Sequence, residues 1–149
     1  MTTPSINETQ EAIVKDFADF PDWEDKYAHI IALGRALPPF PEEYRCEDNK
    51  VRGCQSQVWL HAELRDGVVV FYGDSDAAIV KGLVALALRV YSRRAPREIM
   101  ETEPEFIKKI GLDAHLSPSR TNGFAAMIQK IKMYALGFSM ILQRQEQSQ

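Results

Sequence analysis

Apolar residues in this chain repeat first with a helical period, then with a period of two, then with a helical period again. Ile13, Val14 and Phe17 mark one side of a helix over residues 9–18, which Asn7 or Thr9 can cap. Phe20-Pro21-Asp22 breaks the chain, and Asp22 can cap a second helix over residues 23–37. Trp23, Tyr27, Ile30, Ile31 and Leu33 form its apolar face. Pro38-Pro39-Phe40-Pro41 ends it, because proline cannot continue the hydrogen-bond ladder. Next, Val58, Leu60, Ala62 and Leu64 alternate with Trp59, His61, Glu63 and Arg65, the period of a half-buried strand. Asp66-Gly67 is a two-residue hairpin signal. The returning strand is Val68-Val69-Val70-Phe71-Tyr72, β-branched and aromatic throughout.

Asp74, Ser75 or Asp76 can cap the helix that follows. Over residues 77–92 it is apolar on most faces, which predicts a central core helix covering the sheet. Pro96 opens a short helix to about residue 100, and Phe106-Ile107 to Ile110 form another that Gly111 ends. After a turn at residues 115–120, a last helix is expected over residues 121–142. Phe124, Met127, Ile128, Ile131 and Ala135 point inward on it. The polar ends, residues 1–7 and 143–149, are expected to be flexible. Helices, then a hairpin sheet, then helices make an α+β arrangement, read as a single domain over residues 1–149.

Composition narrows the function classes. The chain has 149 residues, 45% hydrophobic and 26% charged, enough for one domain with a core. A net charge of -3 gives no electrostatic reason to expect nucleic acid. No apolar run reaches the length of a membrane span, and residues 1–10 lack an apolar signal region. A cytoplasmic location is the default. The two cysteines, Cys46 and Cys54, are poorly placed for a structural disulfide in such a compartment. No second Cys or His pair has zinc-finger spacing, so no metal is expected.

The chemistry concentrates at Val51-Arg52-Gly53-Cys54-Gln55-Ser56-Gln57. Gly53 allows a sharp bend or positive φ beside a thiol. Two readings stay open on these residues alone: an accessible nucleophile, or a small buried hydrophobe. A hydrolytic enzyme would need a base near Cys54. His29, His61 and His115 each read more simply as surface, strand or turn residues. A thiol that only receives and hands on sulfur demands less, and Lys50 and Arg52 are close enough in sequence to stabilise a thiolate.

Four ordered blocks then resemble the SufE family of sulfur-acceptor proteins. The two stronger ones are Gly53-Cys54-Gln55-Ser56-Gln57-Val58-Trp59 and Gly73-Asp74-Ser75-Asp76-Ala77-Ala78-Ile79-Val80-Lys81-Gly82-Leu83. Trp23-Glu24-Asp25-Lys26-Tyr27 with Leu33-Gly34 and Leu37-Pro38 forms a third, and Leu116-Ser117-Pro118-Ser119-Arg120 with Gly123 a fourth. The resemblance implies a SufE/IscU-like α+β fold with helices on one face of a three-stranded antiparallel sheet, its extra strand at residues 45–51. It implies that Cys54 carries a persulfide, with Gly53 as hinge. The implied donor is a cysteine desulfurase of SufS type, and the implied acceptor an iron–sulfur scaffold complex of SufBCD type. Pyridoxal phosphate would belong to the desulfurase, leaving no cofactor on this chain, which would be an accessory protein and not an enzyme. Arg52, Gln55, Asp76 and Arg120 become candidates for the partner interface. The IscU-type scaffold role is rejected, because Cys46 does not restore a three-cysteine set. A CsdE-type acceptor serving another desulfurase, a stand-alone cysteine enzyme and a pure binding module are the alternatives. Gln55-Ser56-Gln57 is closer to the SufE form than to the CsdE form.

Overall fold

The computed structural model describes residues 3–147. Helix α1 (Ile6–Ala18) starts earlier than its apolar period suggests, because Ser5 and Glu8 form a capping box. Each accepts the other's backbone N–H at 3.0 Å. Neither Asn7 nor Thr9 is the cap, and residues 6 and 7 already belong to the helix. Asp22 caps α2 (Trp23–Arg35) as expected, accepting from the Asp25 amide at 2.9 Å.

Strands β1 (Val58–Arg65) and β2 (Val68–Ser75) pair antiparallel, from Val58 opposite Ser75 to Arg65 opposite Val68. Asp66 and Gly67 join them with φ of 50° and 82°, the left-handed pair that a two-residue hairpin needs. The expected third strand at residues 45–51 is corrected to a single bridge, Lys50 to Trp59, held by Val51 N–H to Val58 C=O at 2.8 Å. The sheet has two strands. The reason lies in where that segment's backbone groups go. Short 3-10 turns at Glu42–Tyr44 and Glu47–Asn49 take up the Arg45 and Lys50 amides. The Asp48 and Lys50 carbonyls accept from the Lys130 ammonium at 3.1 and 3.0 Å. Side chains fasten the segment to the outer sheet face instead. Tyr44 stacks on His61 at 3.5 Å, and the Arg45 guanidinium lies 4.7 Å from the Trp59 ring.

Helix α3 (Ala78–Tyr91) packs beneath the sheet as its buried pattern predicts. A Cβ at Gly73 of β2 would lie 2.5 Å from Val84 of α3. On its other side α3 meets α2 so closely that a Cβ at Gly82 would sit 2.1 Å from the Ile30 carbonyl oxygen. No side chain caps α3, whose N-cap is Ala77, so the expected capping by Asp74, Ser75 or Asp76 is corrected. Asp74 turns to Arg45 and Lys81, and Asp76 to the Gln57 amide.

Helices α4 (Pro96–Glu101), α5 (Glu105–Ile110) and α6 (Leu112–His115) lead to α7 (Pro118–Gln147). Its 30 residues span about 45 Å. Its buried positions end at Ala135, and the helix runs on past the expected end near residue 142 to Gln147. Residues 1, 2, 148 and 149 of the two expected flexible ends lie outside the described residues. The core includes Ile13, Ile30, Leu83, Leu86, Tyr91, Phe106 and Phe124. No helix among the described residues is long and apolar enough to cross a membrane.

Candidate functional site

The segment between the Lys50 bridge and β1 forms a loop whose base is tied twice. Val51 bonds Val58, and Gln57 exchanges hydrogen bonds with Asp76: the Asp76 carboxylate accepts from the Gln57 amide at 3.0 Å, and the Asp76 N–H donates to the Gln57 carbonyl at 3.2 Å. Within it Gly53 has φ 94°, a conformation that costs a side-chain-bearing residue roughly 1–2 kcal/mol. Gly53 therefore supplies the left-handed turn that sets Cys54 down onto α7.

Cys54 is half-buried, and its Sγ–H donates to the Gly123 carbonyl of α7 at 3.5 Å. A Cβ at Gly123 would lie 3.2 Å from Sγ, tighter than ordinary contact, so a side chain here would make the thiol give way. A cavity of about 250 Å³ opens beside the sulfur. Gln55, Ser117, Ser119 and Arg120 supply its polar wall, and Val80, Leu83 and Met127 its apolar one.

Burial pushes the Cys54 thiol pKa up. The expected help from Lys50 and Arg52 does not reach it here. Lys50 pairs with Glu47 at 2.8 Å and lies over Trp59, while Arg52 is 78% exposed and reaches Glu47 at 3.5 Å. The thiol is therefore held neutral. Arg120 places a permanent cation on the same cavity wall.

None of the cavity-lining residues is a His, Asp or Glu. His29 meets Phe17 edge-on at 5.1 Å and lies tilted against Phe20 at 4.8 Å, while His61 stacks on Tyr44 and His115 on Trp23 at 3.9 Å. Among the described residues no His, Cys, Asp and Glu cluster could hold a metal ion.

Of the residues singled out in the sequence, Cys54, Gln55 and Arg120 meet at one cavity, Gly53 holds the positive-φ turn before the thiol and Asp76 ties the base of the loop. Arg52 points to a different face. Ser117, Ser119, Met127 and Gly123 complete the site without having been chosen for it. The signal for Gly123 is a glycine inside an apolar helical period, which points to a close approach.

This α+β frame, with a thiol on a glycine turn above a bare helix position, defines a class of small domain that presents a single loop thiol. The comparisons agree with that class. The model of the SufE family, described as an Fe-S metabolism associated domain, matches residues 11–135, and the chain belongs to this family. An uncharacterized SufE-like protein of Rhizobium meliloti (strain 1021) is 46% identical over 132 residues, 85% of this chain and 94% of the relative. Another from Rhizobium etli is 44% identical over 127 residues, 82% of this chain and 86% of the relative. The solution structure of a hypothetical protein from Thermus thermophilus shares the fold, with a TM-score of 0.73 at 22% identity. It covers 92% of this chain and 97% of that one. Membership gives the chain an accessory sulfur-transfer role in iron–sulfur metabolism.

Proposed function

We propose that Cys54 accepts sulfur from a cysteine desulfurase of SufS type, carries it as a persulfide and hands it to an iron–sulfur scaffold complex of SufBCD type. The observation that carries this reading is the hinged thiol packed on Gly123 in a cavity without a base. A stand-alone hydrolase needs a base within hydrogen-bond reach of its nucleophile. A relay does not, because the donor completes the site when it docks.

The transfer balances without an outside oxidant. The Cys54 thiolate attacks the outer sulfur of the donor's cysteine persulfide. One S–S bond forms as the donor's S–S bond breaks, and the donor cysteine leaves as thiolate. The thiolate is the attacking species, so the buried, protonated thiol must first leave Gly123 and lose its proton. Gly53 supplies the turn for that movement, and Arg120 a cation for the anion formed near the cavity mouth. Pyridoxal phosphate is the desulfurase's own group, and no step on this chain needs it.

Incubation with desulfurase and cysteine is expected to add one sulfur atom to the Cys54 peptide, read by mass spectrometry. Cys54→Ser is expected to lose both the label and the stimulation of the desulfurase. Full stimulation by that variant would overturn the covalent relay.

A further inference from the structure

The large apolar side chains that stand exposed among the described residues lie on one helix: Met133, Leu136, Met140 and Ile141 of α7. Met133, Leu136 and Met140, the most exposed at 65%, 52% and 51%, are spaced three and then four residues apart. That is the spacing of a coiled-coil seam, whose residues face a second helix. Gln129 and Gln143, both exposed, continue the spacing outward, so the apolar seam has polar ends. Residues 133–142 include no charged side chain. Beside the seam, Gly137 has nothing within 4 Å of where a Cβ would be, so another backbone can come close there.

The position of this seam along α7 argues for one occupant. The family match ends at residue 135, and Leu136, Gly137, Met140 and Ile141 lie past it. The buried positions of α7 end at Ala135 too. The surface is thus an addition to the shared domain. It is also remote from the thiol: Gly123, on which Cys54 sits, is about 22 Å along the helix axis from residue 138. A partner common to the family would be met by the shared domain. A second copy of this chain brings the matching seam with it.

We propose that two copies pair through this part of α7, antiparallel, about a two-fold axis at residue 138. In that register Leu136 of each copy packs on Met140 of the other, Met133 lies against Gln143, and the two Gly137 residues flank the axis. Like surfaces joined this way close after two copies. Charge sets the direction. Parallel helices would put Lys132 beside Lys132 and Arg144 beside Arg144, whereas the antiparallel pair puts Glu146 of one copy beside Lys132 of the other. Lys132 already holds the Glu103 carboxylate at 3.0 Å, and its ammonium has further N–H groups to give. Lys130 would stand nearest Arg144, but its ammonium is turned to the Asp48 and Lys50 carbonyls. Grooves of about 600 and 700 Å³ flank the seam, both walled by Met133, and would take the partner's side chains. The two Cys54 cavities stay outside the pairing, one at each end, and the inference does not depend on what Cys54 carries.

The test is analytical ultracentrifugation of the full chain and of the double variant Leu136→Glu/Met140→Glu at micromolar concentrations. Both side chains are about half exposed, so the fold should persist, checked by circular dichroism. The wild type is expected to sediment as a dimer and the variant as a monomer, its dissociation constant raised about tenfold or more, as loss of interface anchors does. Direction is read separately, in chains that also carry Cys46→Ser and Cys54→Ser. Leu136→Cys and Met140→Cys proteins are mixed and oxidised, and the disulfide is expected to join position 136 of one copy to position 140 of the other. A wild type that stays monomeric overturns the pairing, and so does a dimer that the double variant keeps. Disulfides between like positions, 136 to 136 and 140 to 140, overturn the antiparallel register. A monomeric wild type whose double variant loses affinity for the desulfurase also overturns the pairing and gives the seam to the donor.

Discussion

The chain's two cysteines stand only eight residues apart and live under opposite conditions. Cys46 is exposed, at the start of a 3-10 turn whose Asn49 amide bonds its carbonyl at 3.1 Å. Cys54 is half-buried, hydrogen-bonded through sulfur and raised in pKa by burial. Exposure alone would nominate Cys46 as the reactive thiol. The geometry nominates Cys54, because only it has a positive-φ hinge before it, a bare helix position beneath it and a cavity beside it. A carrier gains from this contrast. On the proposed relay, a sheltered, protonated thiol would resist alkylation and oxidation between partners, and reactivity would appear when docking moves the loop.

The largest effect should come from breaking the contrast at the sulfur atoms. Cys54→Ser is expected to abolish persulfide formation, while Cys46→Ser should leave it within about twofold, as an exposed substitution away from the site should. Label found on Cys46 in the Cys54→Ser protein would mean that the two thiols are interchangeable.

A smaller change should come from the hinge. Gly53→Val places a β-branched side chain at φ 94°. At a cost of roughly 1–2 kcal/mol the seated loop should be depopulated about 5–30-fold relative to open states. Iodoacetamide should then modify Cys54 faster by a similar factor, with Cys46 in the same tube as the internal reference. An unchanged ratio of the two peptides would show that Gly53 does not hold the seat.

The seat itself offers a sharper test, because stability and seating should move apart. Gly123→Ala gains about 0.8–1 kcal/mol of helix propensity. The added methyl lies 3.2 Å from Sγ and pushes the thiol away from its carbonyl partner. Tm should therefore hold or rise while Cys54 alkylation accelerates a few-fold. Lowered Tm with unchanged alkylation would contradict this account of Gly123. In all these proteins the pH profile of Cys54 alkylation should report the seat. For the wild type it should lie above the ordinary cysteine value, and in the unseated variants it should fall back toward that value.

What can be read from the sequence follows the reach of the interactions. The Asp66-Gly67 hairpin and the Asp22 cap are closed by residues at most a few positions apart, and both are seen as expected. Gly53-Cys54 also carries its own local signal. The third strand fails because the fate of residues 45–51 is decided by Lys130, 80 residues from Lys50. Gly123 escapes notice as the seat for the same reason, its contact with Cys54 spanning 69 residues. Arg52 does not reach the thiol because nearness in sequence does not fix direction once a glycine turns the chain between the two residues. Asp74 and Asp76 match a cap pattern, but partners on other elements, Arg45 and Gln57, take their carboxylates.

The fastening of the Cys46 segment gives the smallest predicted effect, and it separates the two thiol regions by pH. Burial raises the Asp74 pKa, but the Arg45 guanidinium at 2.9 Å, the Ser75 amide at 2.8 Å and the Lys81 ammonium at 3.3 Å outweigh it and hold it low. A carboxylate depressed in the folded state stabilises the fold above its unfolded pKa, about 3.9, and loses that contribution as pH falls through the folded value. Asp74→Asn should therefore cost about 1–3 kcal/mol near pH 7. The gap to wild type should narrow as the buffer is taken below about pH 4. The Cys54 seat has the opposite sign. Its raised pKa gives stability that is present below the ordinary thiol range and is lost as pH rises through the folded value. The Tm gap between wild type and Asp74→Asn should thus be full at neutral and alkaline pH and close only on the acid side, whereas Gly53→Val should change the pH dependence only on the alkaline limb. If Asp74→Asn also speeds Cys54 alkylation, the outer-face fastening and the thiol seat form one unit, and the division between the two cysteine regions fails.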